Sequence, residues 1–141
     1  MTDPSSTGWT AAQTLAEILD MKQLAKAKYH YGPFVLYFST AWDKYLDNDF
    51  NTNYPNKTLR QRLMEIDQIT DVRTSDYLEN YDVLLVELNP ETIRIVTGMG
   101  LTTLEWPEKG GLLLNYKVMM ILVPQLRADI NGNTGIVHGT V

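Results

Sequence analysis

The stretch that decides the fold runs from Ile93 to Gly139 and reads IRIVTGMGLTTLEWPEKGGLLLNYKVMMILVPQLRADINGNTGIVHG. Two apolar runs in it are separated by Pro-Glu-Lys-Gly-Gly at 107–111, residues with the turn chemistry that reverses a chain. The pattern predicts a long β-hairpin whose first strand bends at Gly98 and Gly100. The returning strand, 112–123, would span roughly 40 Å at about 3.3 Å per residue, which is long for a chain of this size.

Side chains along that returning strand alternate between its two faces. Asn115 and Lys117 make one face polar near the start of the strand, whereas both faces are apolar toward Val123. We therefore expect one end of the strand to be half exposed and the other end to be buried. Because the same two polar residues interrupt the run, it falls short of the roughly 18 apolar residues of a membrane helix and favours a strand.

The first helix is predicted from Thr10 to about Tyr29. Thr10 and Gln13 have the spacing of a capping box, and apolar residues follow at helical intervals. Gly32 is expected to supply the left-handed stop, and Pro33 prevents the helix from continuing.

The remaining elements are short. Phe34 to Phe38 is an unbroken apolar run typical of a central strand, and a second capping box at Thr58 and Gln61 opens another helix. The other predicted elements are a short helix through Trp42 and Leu46, a surface loop at 47–57, and strands at 69–73 and 83–88. The predicted class is α+β, with a central mixed or antiparallel sheet flanked by helices and a long C-terminal β-hairpin.

Composition limits the classes of function. The chain has 141 residues, 44% of them hydrophobic, which is enough for one core, so residues 10–141 are expected to form a single domain. Residues 1–9 are polar and are expected to be a disordered or cloning-derived lead. The net charge of -5 disfavours a surface built to bind nucleic acid, and the absence of cysteine excludes disulfides, thiolate metal sites and cysteine nucleophiles.

No catalytic, cofactor-binding or metal site is predicted. Asp47, Asp49 and Asn51 begin like a calcium-binding loop, but Thr52 and Thr58 stand where glycine and glutamate are needed. A second stretch, Asp129, Asn131 and Asn133, looks similar but is better explained by a tight turn at Asn131–Gly132.

Two further patterns that carry chemistry elsewhere also fail. Gly98 and Gly100 start a dinucleotide fingerprint, but Thr103 replaces the third glycine and a strand follows where a helix is needed. His30 and His138 lack neighbours that would form a triad or a metal site, and we expect His30 to be a helix C-terminal residue favoured by the helix dipole.

Two exposed segments are the candidates for contacts with a partner. One is the loop rich in Asp and Asn, and the other is the hairpin tip with its large aromatic residue. The candidate interface residues are Asp47, Asp49, Asn51 and Tyr54 in the loop, and Trp106, Glu108 and Lys109 at the tip.

Several blocks of the sequence resemble the tailed-phage major capsid proteins of the Hong Kong 97 type, a relationship that bacterial encapsulin shells share. They are GPFVLYFSTAWDKYLDNDF at 32–50, TLRQRLMEI at 58–66, YDVLLVEL at 81–88, and the terminal GMGLTTLEW, NYKVMMILVPQLRAD and GIVHG. The resemblance implies an axial-domain core at about 32–92, with a peripheral-type helix at 10–29 and a peripheral hairpin at 93–141. It also implies that the chain is the C-terminal half of such a subunit, because the arm, extended loop and spine helix of the family have no counterpart before Thr10.

The function implied by this resemblance is structural. The full-length protein would tile into pentamers and hexamers of a phage or prophage capsid, made in the bacterial cytoplasm, and would enclose DNA or cargo without reading a sequence. No enzyme activity, cofactor or membrane partner is expected, and no residues are identified for the covalent cross-link known in part of the family. The alternatives are an encapsulin-like nanocompartment subunit and a small metal-dependent enzyme built on the Asp- and Asn-rich loop.

Overall fold

A computed structural model describes residues 1–51 and 57–141. The helices are α1 (Ala11–Ala27), α2 (Asp43–Leu46) and α3 (Leu59–Met64). The strands are β1 (Phe34–Ser39), β2 (Ile69–Ser75), β3 (Val83–Glu87), β4 (Ile93–Glu108), β5 (Leu113–Leu126) and β6 (Ile136–Gly139), with single 3₁₀ turns at Thr40–Trp42 and Lys109–Gly111. The predicted α+β class is confirmed.

The central sheet has the strand order β2-β1-β3-β6. Strand β1 pairs with β2 in parallel and with β3 antiparallel, and β6 pairs antiparallel with β3, so the sheet is mixed. The apolar run at 34–38 is the central strand predicted from its composition, because Phe34, Leu36 and Phe38 are fully buried. The hairpin β4–β5 forms a separate two-stranded sheet.

The core lies between the central sheet and the helices. The α1 side chains Ile18, Met21 and Ala25 pack there with Leu59 and Leu63 of α3. Trp42 is fully buried, and its indole N–H donates to the carbonyl of Tyr81 at 2.9 Å. All fully buried apolar side chains in the described part of the chain lie between Ile18 and Leu85, outside the hairpin.

The capping boxes form at both predicted places, but α1 stops differently from the prediction. The Gln13 side chain accepts from the Thr10 amide at 2.9 Å, and the Gln61 side chain accepts from the Thr58 amide at 3.1 Å. The left-handed residue that ends α1 is Tyr29, with φ 66°, and not Gly32. The amides of Tyr29 and His30 donate to the carbonyls of Lys26 and Ala25, both at 3.0 Å, which is a Schellman arrangement.

The segment 1–9, expected to be a disordered or cloning-derived lead, lies against the body in the structure. The Thr2 amide donates to Glu17 at 3.1 Å, and the indole N–H of Trp9 donates to Thr14 at 3.0 Å. Met1 and Trp9 pack on the core, and Pro4 is buried. The assignment of this segment as a lead stays a prediction.

Candidate assembly surface

Among the described residues, the hairpin β4–β5 is a long two-stranded sheet that does not join the central sheet. Its register begins at Ile93 opposite Leu126 and continues to Glu108 opposite Leu113. Register shifts occur between Thr97 and Met99 and between Met99 and Thr102, so the strand bends where the two glycines predicted it. At Gly98 a Cβ atom would stand 3.2 Å from the Ile121 Cγ2 atom, so a side chain here would press against Ile121 of the returning strand.

Both faces of the hairpin are apolar and exposed. Leu101 is 72% exposed and Ile95 66%, and on the returning strand Val118 is 62% and Val123 56% exposed. The expectation that one end of the returning strand is buried is therefore wrong: every residue of β5 is exposed except Asn115 and Met119, which are half-buried. Alternation predicts which residues share a face, but it cannot predict whether another layer covers that face.

The hairpin tip presents an aromatic side chain beside charges. Trp106 is 42% exposed and shares a face with Asn115, its cross-strand partner. The chain reverses through Lys109, Gly110 and Gly111, all with positive φ. Leu112, at 90% exposure, adds an apolar side chain just after the turn. The three tip candidates, Trp106, Glu108 and Lys109, therefore lie together at a projecting end.

The loop candidates lie elsewhere, beside the body. Asp47 accepts a hydrogen bond from Arg60 at 2.8 Å, so its carboxylate already has an internal partner. Asp49 is exposed and forms a bridge with Thr58, and Asn51 is also exposed. Tyr54 lies outside the described residues.

The base of the hairpin is fastened to the body by one buried carboxylate. Glu87, whose side chain is 6% exposed, lies 2.6 Å from His30 Nδ1. It also accepts from the Gly32 amide at 3.0 Å and from the Thr92 hydroxyl at 2.9 Å, one residue before β4 begins. Gly135 lies against this group, because a Cβ there would come within 2.6 Å of the Thr92 methyl.

The charge of Glu87 is maintained by these contacts. Burial raises the pKa of Glu87, but the hydrogen bonds with His30, the Gly32 amide and the Thr92 hydroxyl outweigh it and bring the pKa below its usual range. His30 is thus a partner of a buried carboxylate that ties three elements together. Sequence reasoning, which placed His30 only at a helix end, missed this group because its members are distant in the chain.

A polar cavity of about 360 Å³ opens beside this cluster. It is lined by His30, Glu87, Arg127, Asp129 and Asn133 among others. Asp129 accepts from the amides of Asn131 and Asn133, both at 2.8 Å, and the Gly132 amide donates to the Asp129 carbonyl at 3.0 Å. The Asn133 side-chain amide also donates to the Asp129 carboxylate at 3.1 Å, and this bond, followed by those from the Asn133 and Asn131 backbone amides, lowers the pKa of Asp129. The turn at 129–133 contains the tight turn predicted at Asn131–Gly132.

Within the described part of the chain, the ligands of a metal site are not brought together. Among residues 1–51 and 57–141, no three His, Asp or Glu side chains are arranged to hold a metal ion. His138, on β6, lies 3.2 Å from the Asp82 carboxylate, whereas His30, in the loop after α1, lies beside Glu87. No helix in these ranges is both long and apolar enough to cross a membrane.

Comparison with known proteins gives a family and a fold. The model of a family described as "Family of unknown function (DUF6260)" matches residues 1–139. No curated protein matches the sequence. Among solved structures, the fold is similar to that in "Crystal structure of virus-like particle from Pyrococcus furiosus", with a TM-score of 0.65 and 18% sequence identity. The match covers 94% of this chain and 52% of that chain, so the chain spans about half the length of the protein it resembles.

Proposed function

The chain belongs to the family of unknown function DUF6260, and we propose that it is part of a structural subunit of a self-assembling protein shell. In this proposal the protein acts through contacts between copies and has no catalytic turnover. Its partners are copies of itself, arranged as pentamers and hexamers in the full-length protein. The shell encloses its contents without sequence-specific binding of nucleic acid and without a membrane partner.

The observation that carries the proposal is the hairpin, whose two faces are both apolar and both exposed. Soluble monomers rarely expose contiguous apolar patches beyond a few hundred Å², and larger ones mark interaction sites. The body of the molecule does not need the hairpin for its core, since no fully buried apolar side chain belongs to it among the described residues. A projecting, apolar element on a completed body is the arrangement that an assembling subunit requires.

The disposition of the titratable groups also favours a structural role. Glu87 and His30 hold each other at the hairpin base, Asp47 holds Arg60, and Asp82 holds His138. In an enzyme we would expect some titratable side chains to point into a cavity without an ion-pair partner inside the protein. The metal-dependent enzyme considered from the sequence has no support in this arrangement.

We further propose the division of the subunit and the kind of shell. Residues 32–92 form the axial-type core, with 10–29 and 93–141 as peripheral-type elements, and the loop and tip candidates face neighbouring copies. The shell is a phage or prophage capsid, made in the bacterial host and located in the virion. The name of the similar solved structure, a virus-like particle, agrees with a closed shell of this general type.

The test is the size and content of particles formed by the full-length protein as its gene encodes it. Light scattering and electron microscopy should find closed particles of uniform size, whereas a monomer at all concentrations would overturn the proposal. Nuclease-protected DNA inside the particles would support the capsid. Co-purified cargo proteins without DNA would instead identify an encapsulin-like nanocompartment, the second candidate.

A further inference from the structure

One face of the hairpin carries opposite charges at its two ends. We call it the tryptophan face; from base to tip its β4 residues include Arg94, Met99, Thr102, Trp106 and Glu108, each beside a β5 partner. Residues directly opposite in an antiparallel pair share a face, so the register assigns these side chains together. Arg94 is at the base and Glu108 is at the tip, with mainly apolar rows between them.

The two register shifts bring Met99 onto this face. Simple alternation along β4 would place Met99 on the face opposite to Arg94 and Glu108. Each shift adds one residue to β4 relative to β5, so Met99 pairs with Ile121 and Thr102 pairs with Met119. The result is a mainly apolar strip between the two charged ends of one face, interrupted by Thr102, Asn115 and Lys117.

Neither charge at the ends of the strip is neutralised within the molecule. Among the ion pairs of the described residues, none includes Arg94 or Glu108. The Arg94 Nε atom donates to Gln125 at 2.7 Å, which holds the guanidinium beside its cross-strand partner on this face. Both charges are thus available to a partner that lies along the whole strip.

We infer that the tryptophan face binds the same face of a second copy across a two-fold axis, with the two hairpins antiparallel. The inference rests on the proposed function and names one of its subunit contacts. An axis perpendicular to the strands and centred at Thr102 and Met119 places β4 of one copy over β4 of the other. Arg94 then meets Glu108 of the second copy at each end, and Trp106 lies over Val96 of the second copy.

The exposed apolar side chains and the charges select this partner. Six apolar side chains of the face are 42–56% exposed, namely Val96, Leu104, Trp106, Leu113, Ile121 and Val123, while Met99 and Met119 at its centre are half-buried. A two-fold contact is self-complementary, so a face with opposite charges at opposite ends fits itself. Lys117, the remaining charge on this face, has an aliphatic stem that can lie along the strip with its ammonium group in water.

The opposite face has no such complementarity. The residues on that face include Tyr116, Val118, Leu122 and Ile95, and the one charged residue on it is Glu105. A two-fold pairing through that face would leave the two glutamates without a cationic partner. The charges therefore distinguish the two faces, although both are apolar.

Charge exchange tests the pairing. Glu108→Arg and Arg94→Glu should each weaken self-association about tenfold in sedimentation experiments, because each places like charges at both ends of the contact. The double variant restores opposite charges and should associate within about threefold of the parent protein. Glu105→Arg, on the opposite face, is the matched control and should leave this contact unchanged. A double variant as weak as the single variants would overturn the inference.

Cross-linking tests the position of the axis. The chain contains no cysteine, so one introduced thiol is the only site for a short bismaleimide. Thr102→Cys should cross-link rapidly to its equivalent in the second copy, whereas Thr103→Cys, the next residue on the opposite face, should not. Equal yields for both variants, or none for Thr102→Cys, would overturn the inference.

These experiments distinguish failure of the proposed pairing of hairpins from failure of the proposed shell function. Particles in the microscope together with no Thr102→Cys cross-link would overturn the pairing and leave the proposed function standing. A parent protein that remains monomeric would overturn both.

Discussion

At the residue scale, Glu87 is the side chain on which the attachment of the hairpin to the body most depends. It lies on the central sheet, yet it bonds to the loop after α1 and to the residue before the hairpin. A buried carboxylate is costly unless its hydrogen bonds are provided, and here three groups provide them. Glu87 therefore links the orientation of the hairpin to the folding of the body.

Glu87→Gln should reduce the free energy of unfolding by about 1–3 kcal/mol, measured by urea denaturation. The glutamine side chain keeps the shape of the glutamate but loses the charge-assisted hydrogen bonds. Its NH₂ group takes the place of one carboxylate oxygen and therefore faces a hydrogen-bond donor. Glu91→Gln is the matched control, because Glu91 is exposed and only its backbone amide is hydrogen-bonded. Equal stability of the two variants would contradict this role for Glu87.

The pKa of Glu87 also predicts a dependence of stability on pH. Since the folded-state pKa of Glu87 lies below the usual carboxyl value of about 4.5, the ionised group stabilises the fold above that pH. This contribution should be lost as the pH falls through the folded-state value below 4.5. Urea denaturation at a series of acidic pH values should therefore find the parent approaching Glu87→Gln in stability, and a constant difference down to the lowest pH would contradict the assignment.

At the element scale, the hairpin behaves as a surface and not as part of the core. Its strands are held by each other and by the base, and its apolar side chains project to both sides. An isolated two-stranded hairpin is marginally stable in water, so this element should be stabilised when a neighbour covers it.

Trp106→Ala should impair assembly while leaving the subunit folded. Trp106 is partly exposed at the tip, so its loss should change the free energy of unfolding by less than about 1 kcal/mol, whereas aromatic residues of this kind often dominate interfaces. Particle yield by size-exclusion chromatography and thermal unfolding of the dissociated subunit would measure the two effects. Tyr77→Ala, which removes an aromatic residue that is 97% exposed on the body, is the control. Unchanged particle yield after Trp106→Ala would count against the tip as a contact.

At the scale of the whole molecule, the body and the hairpin are separable in their packing. Core side chains come from the helices and the central sheet, and β6 returns to that sheet after the hairpin. The body is closed at the base of the hairpin, where Arg94 pairs with Gln125.

Replacing residues 95–124 by Asn-Gly should therefore give a folded, more soluble monomer. Asn-Gly forms the two-residue turn that suits an antiparallel pair, here Arg94 and Gln125. Circular dichroism should find the unfolding midpoint within about 5 °C of the dissociated parent subunit. Loss of the cooperative transition would mean that the hairpin contributes to the core after all.

Much of the fold follows from local patterns because the forces that specify those elements are local. The capping residues at Thr10 and Thr58, the apolar central strand at 34–38 and the glycine bend in β4 all appear where the sequence predicts them. The stop of α1 at Tyr29 was missed because a left-handed residue without glycine leaves no mark in composition. The contact roles of Asp47, Asp49, Asn51, Trp106, Glu108 and Lys109 stay predictions.

The sequence by itself determined most of the helices, strands and turns, since capping, alternation and turn chemistry act over a few residues, but it did not predict β6. Only the tertiary structure decided that the hairpin projects with both faces uncovered, because burial depends on which layers come together. It also decided that His30, Glu87 and Thr92 meet, since their separation in sequence carries no information about distance. The two register shifts, which place Met99 on the tryptophan face, likewise depend on how β4 pairs with β5 and not on either strand alone.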